Sequence, residues 1–204
     1  MKRRNAAVGA ALAGALLMLP LTAGAGAAVG QPAPDFALKD IKGVNHALSS
    51  LKGKYVVLEW VNYECPFVKK HYGSGNMQKL QKAYTGKGVV WLSVNTSAPG
   101  KQGNFPPAEI NSKIKASGAS PSAYLIDSEG AVGRLYGAKT TPHMFVIDPQ
   151  GKVVYAGAID DKPSTDQSDI AAARNYVAAA LDEAMAGKAV TTTSSQPYGC
   201  GVKY

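Results

Sequence analysis

The chain carries two cysteines, Cys65 and Cys200, and no other side chain in it has as wide a range of chemistry. Cys65 follows the apolar run Tyr55-Val56-Val57-Leu58-Glu59-Trp60-Val61 and precedes Pro66, so it stands where a strand gives way to a helix. Backbone N–H groups and the positive end of the helix dipole gather at such a position and favour thiolate over thiol. Pro66 suits the first helical position, where its missing N–H would have had no partner. Lys69 and Lys70 lie one turn further on and add positive potential, which Glu64 opposes. Cys200 sits in the short motif Tyr198-Gly199-Cys200-Gly201. The twelve residues from Ala189 to Cys200 extend to about 40 Å at most. That reach permits contact with Cys65, and a bridge requires a Cα separation of about 4.4–6.8 Å. Two cysteines allow one bridge and nothing more.

A second group of residues needs weighing. Thr140-Thr141-Pro142 precedes a hairpin strand, and an X-Pro bond is the place where a cis peptide is accessible. His71 and His143, with Cys65 and Met144, raise a copper hypothesis, because sulfur and imidazole suit that metal. The spacing lacks a Cys-x-x-x-Cys pair, so ordinary polar histidines are the favoured reading and no metal or cofactor is expected. Tyr63 and Phe67 flank Cys65 and are candidates for a substrate groove, as is Phe105, whereas Trp91 reads as core from its strand. Asp160-Asp161 reads as a solvated turn or helix lead-in rather than an acidic site.

The elements that must position these groups begin after an address segment. Lys2, Arg3 and Arg4 precede the apolar run Ala6–Leu21, and Ala23-Gly24-Ala25 and Ala25-Gly26-Ala27 offer small-residue cleavage patterns. We read residues 1–27 as a cleaved signal peptide, 28–190 as the domain and 191–204 as a flexible Thr/Ser-rich tail carrying Cys200. A periplasmic or secreted location follows, without stable membrane insertion, and disulfides persist in that setting. Without Lys2, Arg3 and Arg4, 19 Lys and Arg face 14 Asp and Glu, which lowers the net charge from +8 to +5. That charge is scattered and accompanied by no nucleic-acid motif, so nucleic acid is set aside as a partner.

Within the domain, Asp35–Leu38 reads as a short strand and Tyr55–Val61 as a central strand buried on both faces. The stretch Phe67–Tyr84 is helical but interrupted at Gly73-Ser74-Gly75. Val89–Val94 and Ala123–Asp127 are further core strands, separated by a Pro- and Gly-rich loop and a helix near Ala108–Ala116. A short helix near Ala131–Tyr136, a hairpin of His143–Asp148 with Lys152–Tyr155, and a helix over Ile170–Met185 complete the pattern. The alternation describes an α/β fold, a central sheet covered by helices on both faces.

Several segments carry a family resemblance. Gly30-x-x-Ala33-Pro34-Asp35-Phe36-x-Leu38 and Leu48-x-x-Leu51-x-Gly53-Lys54-Tyr55-Val56-Val57-Leu58 resemble the opening of the alkyl hydroperoxide reductase/thiol-specific antioxidant family. Cys65-Pro66 looks like its peroxidatic Cys-Pro. Asn62–Lys69, Tyr136-Gly137-x-x-x-Thr141-Pro142, Val154-Tyr155-x-Gly157-x-Ile159-Asp160-Asp161 and the closing Tyr198–Tyr204 are similar to one peroxiredoxin-like branch of bacterial redoxins. The resemblance implies a thioredoxin-like fold with a mixed central sheet, and a cis Pro142 after Thr141 opposite the helix-start cysteine. It also departs from the peroxidases. Leu58 and Asn62 stand where those enzymes have Pro and Thr, and Thr140 and Thr141 are not the arginine that polarises peroxide; Arg134 is the nearest in sequence. Thioredoxin-like reductases use Cys-x-x-Cys, and Asn62 occupies the place of the first cysteine.

The expected function is a thiol-dependent oxidoreductase of peroxiredoxin or thioredoxin type. Cys65 is the reactive thiolate, Cys200 the resolving cysteine, and Thr141 and Pro142 the backbone that faces substrate. The substrate is a hydroperoxide or a protein disulfide, and a thiol reductant restores the dithiol. Two rivals stand beside it: a non-catalytic binding protein in which Cys65–Cys200 is a structural disulfide, and, more weakly, a copper-handling protein.

Overall fold

Strand β3 (Val56–Trp60) explains the rest of the architecture, because all five of its residues are buried. Alternation of side chains sends Val56, Leu58 and Trp60 to one face and Val57 and Glu59 to the other, so both faces need a cover. The computed structural model describes residues 26–204, and the leader expected at 1–27 therefore lies, but for its last two residues, outside the described residues. Among the described residues no helix is long and apolar enough to cross a membrane.

In chain order the elements are β1 (Ala37–Asp40), β2 (Asn45–Ala47), β3, α1 (Pro66–Gly73), α2 (Asn76–Thr85), β4 (Val90–Asn95), α3 (Pro107–Ser117) and β5 (Ala123–Ile126). They continue with α4 (Ala131–Tyr136), β6 (Thr140–Thr141), β7 (His143–Ile147), β8 (Val153–Gly157), α5 (Tyr176–Met185) and β9 (Cys200–Gly201). Seven strands form one sheet in the order β2-β1-β5-β4-β3-β7-β8. The central pairs β3–β4 and β4–β5 are parallel; β1, β2, β7 and β8 join antiparallel at the two sides. The sheet is mixed, as expected. Helices α1, α2, α3 and α5 cover the face of Val57, Trp91, Met144 and Val146. Helix α4 and the Leu48–Leu51 turn cover the other, where Trp60, Tyr136 and Phe145 meet with ring centroids 5.3–5.5 Å apart. Aromatic contacts of this kind add about 0.5–1.5 kcal/mol each beyond area burial.

Glu59 is the exception on the helical face. It is 1% exposed and accepts hydrogen bonds from Tyr72 Oη (2.7 Å), Trp91 Nε1 (2.7 Å), Ser93 Oγ (3.1 Å) and Gln81 Nε2 (3.1 Å). Burial raises its pKa above the ordinary glutamate value, and the four donors oppose that shift.

Two elements differ from the sequence reading. The helix expected to begin at Ile170 begins at Tyr176, because Ala173 is extended and the Asn175 side chain accepts from Ala178 N at 2.9 Å as an N-cap. Residues Gln167–Ala172 form a 3-10 turn instead. The tail, read as flexible from its Thr/Ser content, is laid along the domain. Ser195 Oγ bonds Tyr155 Oη (2.7 Å) and receives the Ala158 N–H (3.0 Å); Val202 N donates to Lys139 O (3.1 Å), and Ala98 N donates to Lys203 O (2.8 Å). Tyr204 Oη donates to Ala138 O at 2.7 Å, with Arg134 stacked on its ring.

Candidate active site

Cys65 is the N-cap of α1, and Pro66 follows it at the first helical position. The approach from β3 is shaped by Asn62, whose Oδ1 accepts the Glu64 N–H at 3.0 Å while its carbonyl accepts the Cys65 N–H at 2.9 Å. This is an Asx turn, which sets the chain direction at the strand end. Cys65 is fully buried.

The tail closes over it. Strand β9 pairs antiparallel with β6, setting Cys200 opposite Thr141 and Gly201 opposite Thr140. The Thr141–Pro142 peptide is cis. Cys65 Sγ lies 2.7 Å from Cys200 Sγ and 3.0 Å from the Thr141 carbonyl oxygen. Both cysteines are free thiols, and the sulfurs sit inside van der Waals contact. The structure thus brings together the four residues singled out in the sequence: Cys65, Thr141, Pro142 and Cys200.

The two sulfurs are electrostatically unlike. Burial pushes the Cys65 pKa up, but hydrogen bonding from the Cys200 thiol and from the Val68 and Cys200 N–H groups outweighs it, and the net direction is down. A protonated Cys65 donates to the Thr141 carbonyl, so that one contact favours the thiol. Cys200 moves the other way: burial and the neighbouring Cys65 sulfur raise it to about 11. One sulfur is disposed to be nucleophile and the other to hold a proton.

The charges near α1 are arranged differently from their sequence positions. Lys69 pairs with Glu64 at 3.4 Å and Lys113 reaches the same carboxylate at 2.8 Å, so Glu64 is held below the ordinary carboxylate range by its bond to Lys113. Lys70 turns inward instead. Its side chain is fully buried, its Nζ donates to Lys162 O at 2.6 Å, and Asp160 Oδ2 is 3.8 Å away. Asp160, read from sequence as a solvated turn, is 2% exposed because Tyr198 covers it and donates its hydroxyl hydrogen to Asp160 Oδ1. His71 joins the same cluster, with Nε2 3.1 Å from Tyr198 Oη and Nδ1 2.9 Å from Asn76 Nδ2. Both ring nitrogens of His71 are engaged. His143 receives the Lys139 N–H at 3.3 Å and lies against Phe145, with ring centroids 4.6 Å apart. Among the described residues no three His, Cys, Asp or Glu side chains form a metal-binding group. Of the groove candidates, Phe67 meets Tyr198 edge-on at 5.8 Å, Tyr63 packs on Tyr72 at 5.2 Å, and Phe105 lies under Lys113. Trp91 is core, as its strand implied.

A model of the AhpC/TSA family matches residues 29–156. The chain belongs to that family. The match stops short of Cys200, so the tail lies beyond the segment that defines this redoxin. Over 127 residues the redoxin is 32% identical to the thiol-disulfide oxidoreductase ResA of Geobacillus thermodenitrificans (strain NG80-2), covering 62% of this chain and 67% of that one. An uncharacterized conserved protein from Geobacillus kaustophilus superposes with a TM-score of 0.71 at 26% identity, covering 87% of this chain and 92% of that one. A putative thiol:disulfide interchange protein DsbE from Chlorobium tepidum gives 0.52 at 28% identity, covering 64% and 84%. The fold is thioredoxin-like, with the mixed seven-stranded sheet and helices on both faces.

Proposed function

We propose that this redoxin is an exported thiol-disulfide oxidoreductase in which Cys65 attacks and Cys200 resolves. The observation that carries the reading is the 2.7 Å approach of the two sulfurs at the start of α1, beside the cis Thr141–Pro142 bond. The Cys65 thiolate attacks one sulfur of a partner disulfide; that S–S bond breaks, and the partner's other sulfur leaves with the electron pair and takes up a proton. Cys200, deprotonated, then attacks Cys65 Sγ and expels the partner's remaining sulfur as a thiolate. Two electrons pass to the partner, and a Cys65–Cys200 disulfide remains for a dithiol reductant to reopen. The likeness to ResA and to the DsbE-type structure supports disulfide exchange. Reduction of a hydroperoxide has less support, since peroxide cleavage draws on charge-stabilising donors. The two arginines of the described residues are committed elsewhere, Arg134 to Glu129 O and the Tyr204 ring, and Arg174 to Thr192. Export rests on the leader pattern of residues 1–27.

Complete burial of Cys65 favours one second reading, a permanent structural bridge. The redox potential separates the two. A structural bridge falls below about −300 mV, and exchange chemistry requires a higher value. In addition, Cys200→Ser should trap Cys65 as a mixed disulfide with the attacked partner, visible as an added mass. If the variant instead turns over with the same dithiol donor as the unaltered chain, Cys200 is not the resolving group. Rapid loss of two hydrogens on exposure to stoichiometric hydrogen peroxide, abolished in Cys65→Ser, would move the assignment to a peroxidase.

A further inference from the structure

The tail meets the domain as a bound peptide does. Strand β9 contributes only backbone to its pairing with Thr140–Thr141, which any extended chain can supply. Gly199 has φ +145°, and a Cβ there would collide with the Thr141 carbonyl oxygen and lie 2.7 Å from its carbon, so the position ahead of the cysteine must be glycine. The residue before that is read by side chains. Tyr198 inserts beside Phe67, its hydroxyl is shared by Asp160 and His71, and the Lys70 ammonium stands 5.6 Å from its ring centre. Lys70, His71 and Asp160 are all nearly or fully buried beneath it. Asp160 Oδ2 has no hydrogen-bond partner among the described residues. Burying an ammonium and a carboxylate that are 3.8 Å apart is costly in a permanent core. That cost opposes docking of the tail, and the tail must lift for substrate to reach Cys65, which is fully buried while β9 is in place.

We propose that the Lys70–His71–Asp160 pocket and the Thr140–Thr141 edge form a peptide-docking site, whose working occupant is an extended partner polypeptide presenting tyrosine, then glycine, then a half-cystine. The tail Tyr198-Gly199-Cys200 is its tethered stand-in. This deepens the exchange reading and rests on it. Asp160 and His71 act as specificity residues through the tyrosine hydroxyl, while the reacting atoms remain Cys65 and the partner's sulfur.

The test uses full-length protein carrying Cys200→Ser, with and without Tyr198→Ala, and two synthetic peptides. The peptides have the sequence of residues 195–203 with either tyrosine or phenylalanine at the position of Tyr198, each with its cysteine as a mixed disulfide with thionitrobenzoate. Cys65 attacks the peptide sulfur, forming a Cys65–peptide disulfide and releasing coloured thionitrobenzoate with the electron pair. Loss of one hydrogen bond to a charged group predicts a tyrosine-over-phenylalanine preference of about 10–100-fold in the second-order rate. Asp160→Asn should shrink that preference to a few-fold, and Tyr198→Ala should raise both rates by weakening the competing tail. Equal rates for the two peptides would overturn the docking site while leaving the exchange reading intact. Release from neither peptide, nor from a small aromatic disulfide, would remove the exchange reading itself. Should Asp160→Asn fail to fold, the ratio of the two peptides on the Tyr198→Ala protein decides alone.

Discussion

Replacing Gly199 by alanine tests the arrangement of the two sulfurs directly. The new methyl group would lie 2.7 Å from the Thr141 carbonyl carbon and closer still to its oxygen, whereas ordinary contact begins near 3.4 Å. Both atoms are backbone, in the strand that pairs with Cys200, so neither can swing aside as a side chain would. The φ of +145° adds a second penalty, since that region is nearly closed to residues other than glycine. Strain of this kind costs about 1–3 kcal/mol, and relief of the overlap by shifting β9 brings the sum to about 2–3 kcal/mol. β9 is docked here with both cysteines free, so the cost falls on dithiol and disulfide alike while the strand stays in place. The dithiol form can shed it by releasing β9, whereas the bridge between Cys65 and Cys200 holds the strand down. With β9 released in the dithiol form of the variant, the disulfide's formation constant falls by up to about 30–150-fold, a potential less negative by up to about 40–65 mV. The assay is equilibration in graded thiol–disulfide buffers, followed by alkylation and intact mass. Gly201→Ala is the control, because a Cβ there meets no heavy atom within 4 Å. A potential for Gly199→Ala that matches the control would refute the claim that β9 pairing aligns the sulfurs.

Two further outcomes concern the buried polar groups. Glu59→Leu strands four donors in the core and should destabilise the fold by at least about 3 kcal/mol. Glu59→Gln keeps an oxygen for Trp91, Ser93 and Gln81 but leaves the Tyr72 O–H without its acceptor, since Tyr72 Oη already accepts from Gln81. It should cost less, about 1–3 kcal/mol, and urea midpoints compare them. His71 and His143 are both depressed to about 4 by burial, against an ordinary value of about 6.5. Their contribution is complete above that ordinary value and is lost as pH falls toward 4, so stability should decline across this window; imidazole resonances titrating near 6.5 in the folded protein would contradict it.

The sheet was legible because its strands announce themselves. Val56–Trp60, broken only by Glu59, and Met144–Ile147 are apolar runs bounded by turn residues, and the burial of their apolar residues follows from composition. Strands β6 and β9 have two residues each, too few for any periodicity, and their pairing joins segments almost sixty residues apart. The order of the tail was hidden for a related reason. Thr and Ser mark flexibility when they face water, yet Ser195 bonds Tyr155 and Ala158 through a fold that sequence spacing does not reveal. Asp160 shows the same limit: an acidic pair reads as solvated until a tyrosine 38 residues later covers it. Cys65 was legible because it stands where a strand gives way to a helix, Thr141–Pro142 through the family resemblance, and Cys200 and Tyr198 through the short closing motif alone, whose docking no local pattern announced.

Complete enclosure of Cys65 beneath β9 also changes what a thiol reagent measures. With the strand docked, no alkylating molecule reaches the sulfur, so modification must wait for a local opening, as amide exchange does. At low reagent the observed rate reflects the opening equilibrium multiplied by the intrinsic reactivity of the thiolate. At high reagent it levels off at the opening rate itself and ceases to depend on the reagent's identity. The plateau is a clock for the departure of the tail, and a slow labelling rate there is a statement about a door rather than about nucleophilicity.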